Sequence, residues 1–316
     1  MPRLHQFSGL THVVDGGLAT ALESRGHNLN HPLWSGKLLI EKPEEIQKVH
    51  YDFYRAGADI AITASYQTSV LGLKTHLDLD KAAALEVIRS SVRLAQAARD
   101  EARQLGMGRT LLVAGSIGPY GAYLANGAEY TGDYGNVTEA ELREFHQDRI
   151  AALLDTGSRA DVLACETIPS RLEVQVLCDL LKVRHCSAWI SCTLRDANHI
   201  SDGTSLAEIV DIVSKCDRVI AFGVNCVPIG LATDALKEIK KVSDSMMLVV
   251  YPNSGEKWDA EKKVWYGGEE TREHLGEVAK EWYDAGARLI GGCCRMGYDD
   301  IRAIRDGLES VRGPAM

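Results

Sequence analysis

The chain has 316 residues, of which 45% are hydrophobic and 25% are charged, so it can bury a large core and needs no disulfide framework. Its 44 acidic and 35 basic residues give a net charge of −9, and the absence of a Lys/Arg stripe argues against nucleic acid as a partner. There is no apolar run of the roughly 18 residues that a membrane span needs, and no apolar core of a signal peptide. These features predict a cytoplasmic protein that binds neither a membrane nor nucleic acid.

Short β-branched runs alternate with amphipathic stretches along the whole chain. Eight of these runs are almost continuously apolar, as expected for parallel strands buried on both faces. The predicted strands are 12–17, 59–65, 111–118, 161–167, 187–194, 219–226, 246–253 and 288–294. The predicted helices are 44–56, 80–105, 138–157, 171–184, 204–216, 230–243, 270–285 and 298–311.

Eight strands that alternate with eight helices favour one (β/α)8 barrel of the TIM type over the rival arrangement, an open doubly wound sheet. Gly57, Gly157 and Gly286 each follow a predicted helix and are suited to a left-handed helix end. The polar stretch 253–269 is interpreted as a loop over the active face and not as a domain boundary. The prediction is therefore a single barrel domain over residues 1–316.

Polar and reactive residues stand at the ends of most predicted strands, where barrel enzymes carry their sites. The first strand ends in Asp15, Gly16 and Gly17, and the fourth ends in Glu166. The other strand-end residues of this kind are Ser65, Gln67, Asn225, Cys226, Asn253, Ser254, Cys293 and Cys294. This convergence predicts a site assembled from several strands at one rim of the barrel.

Cys226, Cys293 and Cys294 are the most informative of these residues. In a reducing compartment, grouped cysteines suggest a metal or catalysis, and three thiolates suit Zn²⁺. Three protein ligands leave one coordination position open, as in catalytic zinc sites. Because zinc deprotonates a coordinating thiol, this open position predicts a thiol substrate that attacks a sulfonium methyl donor, with Arg295 offsetting part of the negative charge.

The alternative interpretation of this trio is that the three cysteines are buried and inert, as free cysteines often are. That interpretation is adopted for the other five cysteines, which lie in apolar or helical segments: Cys165, Cys178, Cys186, Cys192 and Cys216.

The chain resembles the homocysteine S-methyltransferases, especially those that use S-methylmethionine as the methyl donor. The resemblance runs from about residue 10 to residue 311. The motifs that carry it are VVDGGLATALESRG (13–26), LWSGK (33–37), ITASYQTS (62–69), AGSIGPYGAYLANGAEYTGDYG (114–135), ACETIPS (164–170), FGVNC (222–226), VVYPNSGEKWD (249–259) and ARLIGGCCR (287–295).

The resemblance implies a role for each candidate residue. It implies that one zinc ion per chain is held by Cys226, Cys293 and Cys294, and that the amino group of homocysteine is held by Asp15 and Glu166. It further implies that the backbone N–H groups of Gly16 and Gly17 lie near the homocysteine carboxylate. The polar residues expected in the same pocket are Ser65, Gln67 and Asn225, with Asn253 and Ser254 expected near the donor.

Several alternatives remain open on the sequence. S-adenosylmethionine or betaine is a possible donor, and selenocysteine is a possible acceptor. Outside this class of enzyme, a zinc-storing or thiol-sensing protein and a zinc hydrolase are the rivals. The amino-group clamp argues against the first rival and the three thiolates argue against the second. The chain has no segment typical of a folate or cobalamin module, so it is expected to act without a protein partner.

The sequence departs from the family's pattern at two places. Met296, Gly297 and Tyr298 stand where the family usually has a pair of small hydroxyl residues. The segment 70–73 matches the family's pattern only loosely. Neither departure falls on a proposed ligand.

Overall fold

The computed structural model describes residue 7, residues 10–255, the backbone of 257–259 and 264–266, and residues 274–311. Eight parallel strands form one sheet in the order β1-β8-β7-β6-β5-β4-β3-β2. A parallel bridge between Val14 and Ile60 joins the first strand to the second and closes the sheet. The strands are β1 His12–Val13, β2 Ile60–Ile62, β3 Leu112–Ile117, β4 Val162–Ile168, β5 Ala188–Cys192, β6 Val219–Pro228, β7 Leu248–Asn253 and β8 Ala287–Ile290.

One long helix follows each strand and packs outside the sheet. These helices are α1 Pro43–Ala56, α2 Lys81–Gln104, α3 Glu139–Leu153, α4 Arg171–Arg184, α5 Leu206–Ser214, α6 Ile229–Val242, α7 Leu275–Asp284 and α8 Tyr298–Leu308. The predicted (β/α)8 barrel is therefore confirmed, and the open doubly wound sheet is excluded.

Side-chain alternation along the strands divides the core into two parts. Val14, Ile60 and Trp189 belong to the cluster that fills the barrel interior. Their neighbours Val13 and Ile190 belong to the larger cluster that packs against the helices. Because both faces are covered, the strands appear in the sequence as continuous apolar runs.

The helix ends differ at one of the three predicted glycine junctions. Gly57 is the left-handed C-cap of α1, with a φ of 119°, and Gly286 follows α7 with a φ of 105°. Gly157 does not share this conformation, because α3 already ends at Leu153. The recurring motif is thus a helix cap at two junctions and an ordinary turn at the third.

The strands are generally shorter than predicted at the rim that carries the polar residues. The first ends at Val13 and the last at Ile290. Backbone hydrogen bonds to the neighbouring strands continue past both ends, from the Asp15 N–H to the Ile60 carbonyl at 3.0 Å and from the Cys293 N–H to the Pro252 carbonyl at 2.8 Å. The loops after the first three strands contain short helices that were not predicted: Leu18–Ser24, Trp34–Lys37, Leu38–Glu41, Val70–Leu77, Tyr120–Leu124 and Ala128–Thr131. A short antiparallel pair, Leu194–Asp196 with His199–Ile200, extends the fifth strand.

The predicted loop 253–269 lies largely outside the described residues, as do residues 270–273 of the seventh predicted helix. Within this stretch the backbone of Lys257–Asp259 pairs antiparallel with Val264–Tyr266. Among the helices in the described part of the chain, none is long and apolar enough to cross a membrane.

Candidate active site

A cavity of about 620 Å³ opens at the C-terminal ends of the strands. Eight of the predicted site residues line it: Asp15, Gly16, Gly17, Gln67, Glu166, Cys226, Cys293 and Cys294. The cavity lining does not include Ser65, Asn225, Asn253 or Ser254. Trp34 and Tyr66 are also on the wall. The rim of the barrel therefore brings most of the predicted site together.

The three cysteine sulfurs converge at one side of this cavity. The Sγ atoms of Cys226, Cys293 and Cys294 all lie within 4.8 Å of one another. The Cα atoms of Cys226 and Cys293 are 5.6 Å apart, and their sulfurs are joined as a disulfide. The Cys294 thiol is free, and its sulfur lies 3.8 Å from that of Cys226.

This cysteine group fits a tetrahedral metal ion once all three sulfurs are reduced. Zn–S bonds of about 2.3 Å place neighbouring sulfurs about 3.8 Å apart in a tetrahedron, which matches the Cys226–Cys294 separation. Burial raises the pKa of Cys294 to about 11, so an adjacent cation is needed to hold it as a thiolate. The three cysteines therefore form a group able to bind a metal ion, and the five other cysteines are buried free thiols, as predicted.

The backbone around these sulfurs is held in an unusual conformation. Thr167, Cys226 and Arg295 all have left-handed φ values, of 63°, 53° and 65°, which non-glycine residues rarely adopt. Asn225 stabilises one of these turns, because its Oδ1 accepts from the Thr167 N–H at 2.7 Å and its Nδ2 donates to the Thr167 hydroxyl at 2.8 Å. Strain that neighbouring contacts maintain in this way is typical of functional sites.

Asp15 and Glu166 are two buried carboxyl groups on the same cavity wall. Asp15 is 2% exposed and Glu166 is 7% exposed. Burial raises the pKa of Asp15 well above its usual range, and the nearby charge of Glu166 raises it further. The Ile62 N–H donates to Asp15 Oδ2 at 2.9 Å and offsets part of this shift. Two buried carboxyl groups in mutual repulsion form a site that favours a cation.

The environment of Glu166 brings its titration close to neutrality. Burial raises the pKa of Glu166 to about 7, against hydrogen bonds from Ser116 and Tyr251 that stabilise the ionised form. Ser116 Oγ donates to Glu166 Oε1. The Tyr251 hydroxyl is in turn fixed by Trp189 Nε1 at 3.0 Å and by Ser191 Oγ at 2.6 Å. Glu166 is thus held in place by hydrogen bonds, and a cation bound next to it would favour its ionised form.

Ser116 and Tyr251 were not among the predicted site residues, although both carry a recognisable signal. Each is a polar residue inside an apolar strand, at a position whose side chain faces the barrel interior. A buried polar residue needs a hydrogen-bond partner, and a strand-end carboxyl group is the natural one.

Gly16 and Gly17 allow the first loop to lie against the end of β8. A Cβ on Gly16 would lie 2.5 Å from the Met296 carbonyl oxygen, and one on Gly17 would lie 2.6 Å from that of Cys293. The Gly17 N–H donates to the Met296 carbonyl at 2.9 Å. This N–H is therefore hydrogen-bonded within the protein, and the proximity of Gly16 and Gly17 to the homocysteine carboxylate stays a prediction. The glycines are required for close packing beside the cysteines.

Replacing Gly17 by Ala is expected to lower both metal affinity and stability. The added methyl forces the Cys293 backbone to move, and overpacking of this kind costs about 1–3 kcal/mol. Gly230→Ala in α6 is the matched control, because nothing lies within 4 Å of its Cβ position. Thermal unfolding and zinc titration test both variants. A Gly17→Ala protein as stable and as tight for zinc as the control would contradict this explanation.

Three of the remaining predicted residues make hydrogen bonds within the protein. The Ser65 hydroxyl donates to the Ser116 carbonyl at 2.8 Å. Gln67 faces the cavity, and its Nε2 donates to the Ala122 carbonyl. The Ser254 N–H donates to the Cys294 carbonyl at 3.3 Å. The Asn253 Oδ1 atom is buried with no hydrogen-bond partner among the described residues. The substrate contacts expected of these four residues remain predictions.

The departure at Met296 does not open the site. Met296 is fully buried. A Cβ added to Gly292 would lie only 2.7 Å from the Cβ of Met296, so these two residues are packed closely together. The larger side chain therefore supports the glycine turn before the cysteine pair. It does not line the cavity.

The structure is a closed parallel barrel in which three convergent cysteine sulfurs and two buried carboxyl groups line one cavity at the C-terminal ends of the strands. The family model described as homocysteine S-methyltransferase matches residues 12–308. The chain is 48% identical to the homocysteine S-methyltransferase of Escherichia coli, over 93% of this chain and 94% of that protein. It is 40% identical to a selenocysteine methyltransferase of Astragalus bisulcatus, over 98% and 96% of the two chains.

A solved structure agrees with this similarity. The homocysteine methyltransferase MmuM of Escherichia coli superposes with a TM-score of 0.84 and 44% identity in its metallated form, over 96% of this chain and 98% of that chain. Its oxidised form has the same TM-score, 0.84, over 94% and 95% of the two chains. The present chain belongs to the homocysteine S-methyltransferase family.

Proposed function

We propose that this protein is a zinc-dependent methyltransferase that moves a methyl group from S-methylmethionine to the thiol of homocysteine, giving methionine. The observation that carries the proposal is the presence, in one cavity, of three convergent cysteine sulfurs and two buried carboxyl groups. The sulfurs suit a metal with an open position for a thiol, and the carboxyl groups suit an ammonium. Homocysteine carries both of these groups on one short chain.

The metal assignment rests on the donor set. Cys226, Cys293 and Cys294 would hold Zn²⁺, which three sulfur ligands suit better than a hard cation. When bound, zinc supplies Lewis acidity that lowers the pKa of the homocysteine thiol and makes it a thiolate near neutral pH. A reducing compartment such as the cytoplasm keeps Cys226 and Cys293 available as separate thiolates.

The chain's own residues position the acceptor. Asp15 and Glu166 hold the ammonium group, and the approach of this cation stabilises the ionised form of Glu166. The three cysteines fix the other end of the molecule, so the acceptor sulfur is held at a defined place. Positioning of this kind supplies a large part of the rate in a reaction between two bound substrates.

The transfer itself is a direct displacement. The homocysteine sulfur forms a bond to the methyl carbon while the bond from this carbon to the sulfonium sulfur breaks. The electron pair of the broken bond stays on the donor sulfur, which becomes a neutral thioether, and the acceptor's thiol proton is released to solvent. With S-methylmethionine both products are methionine, and the chain needs no nucleophile or protein partner of its own.

Methylation of selenocysteine is the second candidate function, because relatives of this chain include a selenocysteine methyltransferase at 40% identity. The same three sulfurs and two carboxyl groups suit a selenol on a shorter amino acid. Acceptor competition between homocysteine and selenocysteine therefore decides between the two functions.

The test is methionine formation by purified, reduced, zinc-loaded protein. Homocysteine labelled with ¹³C in its backbone separates methionine made from the acceptor from methionine left by the donor. S-methylmethionine, S-adenosylmethionine and betaine are compared in parallel. We expect labelled methionine with S-methylmethionine, lost on chelation. Labelled methionine only with another donor would overturn the donor assignment, and none with any donor would overturn the function.

A further inference from the structure

Glu129 is a carboxyl group on the cavity wall that the proposed acceptor chemistry does not use. It lies in the short helix Ala128–Thr131, in the loop that follows β3. The side chain is half-buried, and its Oε2 atom is buried with no hydrogen-bond partner among the described residues. In the same part of the chain no Lys, Arg or His forms an ion pair with it. Folded proteins leave few buried polar atoms in this state, so a ligand is the natural partner.

The backbone that carries Glu129 is fixed on both sides. A Cβ on Gly121 would lie 2.5 Å from the Glu129 backbone nitrogen, so the two loop segments are in close contact. The Thr193 hydroxyl donates to the Glu129 carbonyl at 2.7 Å. The backbone of Glu129 is therefore held at the cavity wall by close packing and by a hydrogen bond.

A second anchor holds the loop further out. Glu173 on α4 accepts from the Tyr120 N–H at 2.7 Å and from the Tyr134 hydroxyl at 2.6 Å. These two contacts flank the Ala128–Thr131 helix on either side in the chain. Charged groups that are fixed in advance bind a ligand without paying to reorganise.

Glu129 lines the same cavity as the cysteine group and the Asp15–Glu166 pair. Three aromatic residues, Tyr66, Tyr130 and Trp34, line this cavity as well. Trp34 meets Tyr66 edge-on, with ring centroids 6.4 Å apart. Aromatic side chains and the Glu129 carboxyl group therefore share one cavity with the cysteines.

We infer that Glu129 binds the α-ammonium group of an amino-acid methyl donor, while the rings of Tyr66, Tyr130 and Trp34 face its sulfonium. The inference rests on the proposed function, which places a sulfonium donor in this cavity. Glu129 and these three aromatic residues line the cavity, and aromatic rings attract cations through their faces.

The charge on each end of the donor decides which end pairs with Glu129. The sulfonium loses its positive charge during transfer, so a carboxylate next to it would stabilise the reactant more than the transition state. The α-ammonium keeps its charge throughout the reaction. A carboxylate paired with the ammonium therefore binds both states equally, and its contribution is to the KM of the donor.

The test compares Glu129→Gln with the matched control Glu144→Gln on the exposed surface of α3. For Glu129→Gln we expect the KM of S-methylmethionine to rise about 10- to 100-fold, with kcat and the KM of homocysteine almost unchanged. Dimethylsulfoniopropionate has a sulfonium and a carboxylate but no ammonium. With this donor, Glu129→Gln should cause no loss relative to wild type. Glu144→Gln should behave as wild type with both donors.

Two kinetic results would overturn the inference. One is an unchanged KM for S-methylmethionine, and the other is an equal loss with both donors, which would place the sulfonium or a purely structural role at Glu129. If the wild type makes no methionine from S-methylmethionine, the proposed donor fails, and calorimetric binding of S-methylmethionine then tests the site separately. Weaker binding to Glu129→Gln than to wild type supports the site, whereas equal or absent binding refutes it.

Discussion

Replacing Cys226 by Ala is expected to remove zinc and turnover together. Two sulfurs remain, and they leave the metal with too few protein ligands for a catalytic zinc site. Loss of the metal leaves only about one thirtieth of a thiol with a pKa near 8.5 ionised at neutral pH, and loss of alignment adds to this, so kcat/KM should fall at least about 1000-fold. Metal content by mass spectrometry and methionine formation measure the two effects.

Cys186→Ala is the control for this experiment. Cys186 is a buried free cysteine just before β5, at the opposite end of the barrel from the cavity. Its removal should leave one zinc per chain and full turnover. A Cys226→Ala protein that keeps full activity under reducing conditions would show that the cysteine group does not activate the acceptor.

Replacing Glu166 by Gln is expected to weaken acceptor binding while stabilising the fold at alkaline pH. Loss of a charged partner for the ammonium should lower kcat/KM for homocysteine about 10- to 100-fold. A homocysteine analogue without the amino group, 4-mercaptobutyrate, should show no such difference between variant and wild type. In the wild type, kcat/KM for homocysteine should fall as pH decreases below about 7, where Glu166 becomes protonated.

The stability effect of this substitution has the opposite sign. The pKa of Glu166 in the folded protein, about 7, lies above its ordinary value of 4.5, so the fold favours the protonated form. The wild type therefore loses stability as pH rises from about 4.5 to 7, by on the order of 3 kcal/mol. Glu166→Gln should unfold at a higher temperature than wild type at pH 8 and at a similar temperature at pH 4.5. A lower unfolding temperature at pH 8 would contradict the burial argument.

The architecture of the barrel was accessible from the sequence because its strands are buried on both faces. Continuous apolar runs such as 161–167 and 219–226 have no other simple interpretation when eight of them alternate with amphipathic helices. The ends of the strands were less predictable. The first and last strands end before Asp15 and Cys293, beside glycines whose close contacts leave no room for a Cβ, and apolar patterns do not report such contacts.

The candidate site was predictable where chemistry is local in the sequence. The adjacent Cys293 and Cys294 are a strong signal, and Asp15 and Glu166 stand at strand ends as predicted. Ser116 and Tyr251 act through hydrogen bonds to Glu166, which is 50 and 85 positions away in the chain, and Glu129 is noticed through a missing partner, so coordinates are needed to identify their roles. The side chain of Asn225 makes two hydrogen bonds to Thr167, which the sequence did not indicate, and its predicted contact with the substrate stays a prediction.

The central claim is that the thiol of homocysteine joins three cysteine sulfurs on one zinc ion. X-ray absorption at the zinc edge, on reduced protein before and after addition of homocysteine, tests this claim most directly. The account predicts three sulfur neighbours and one lighter neighbour before addition, and four sulfur neighbours afterwards. A zinc ion that keeps three sulfur neighbours at saturating homocysteine would contradict it.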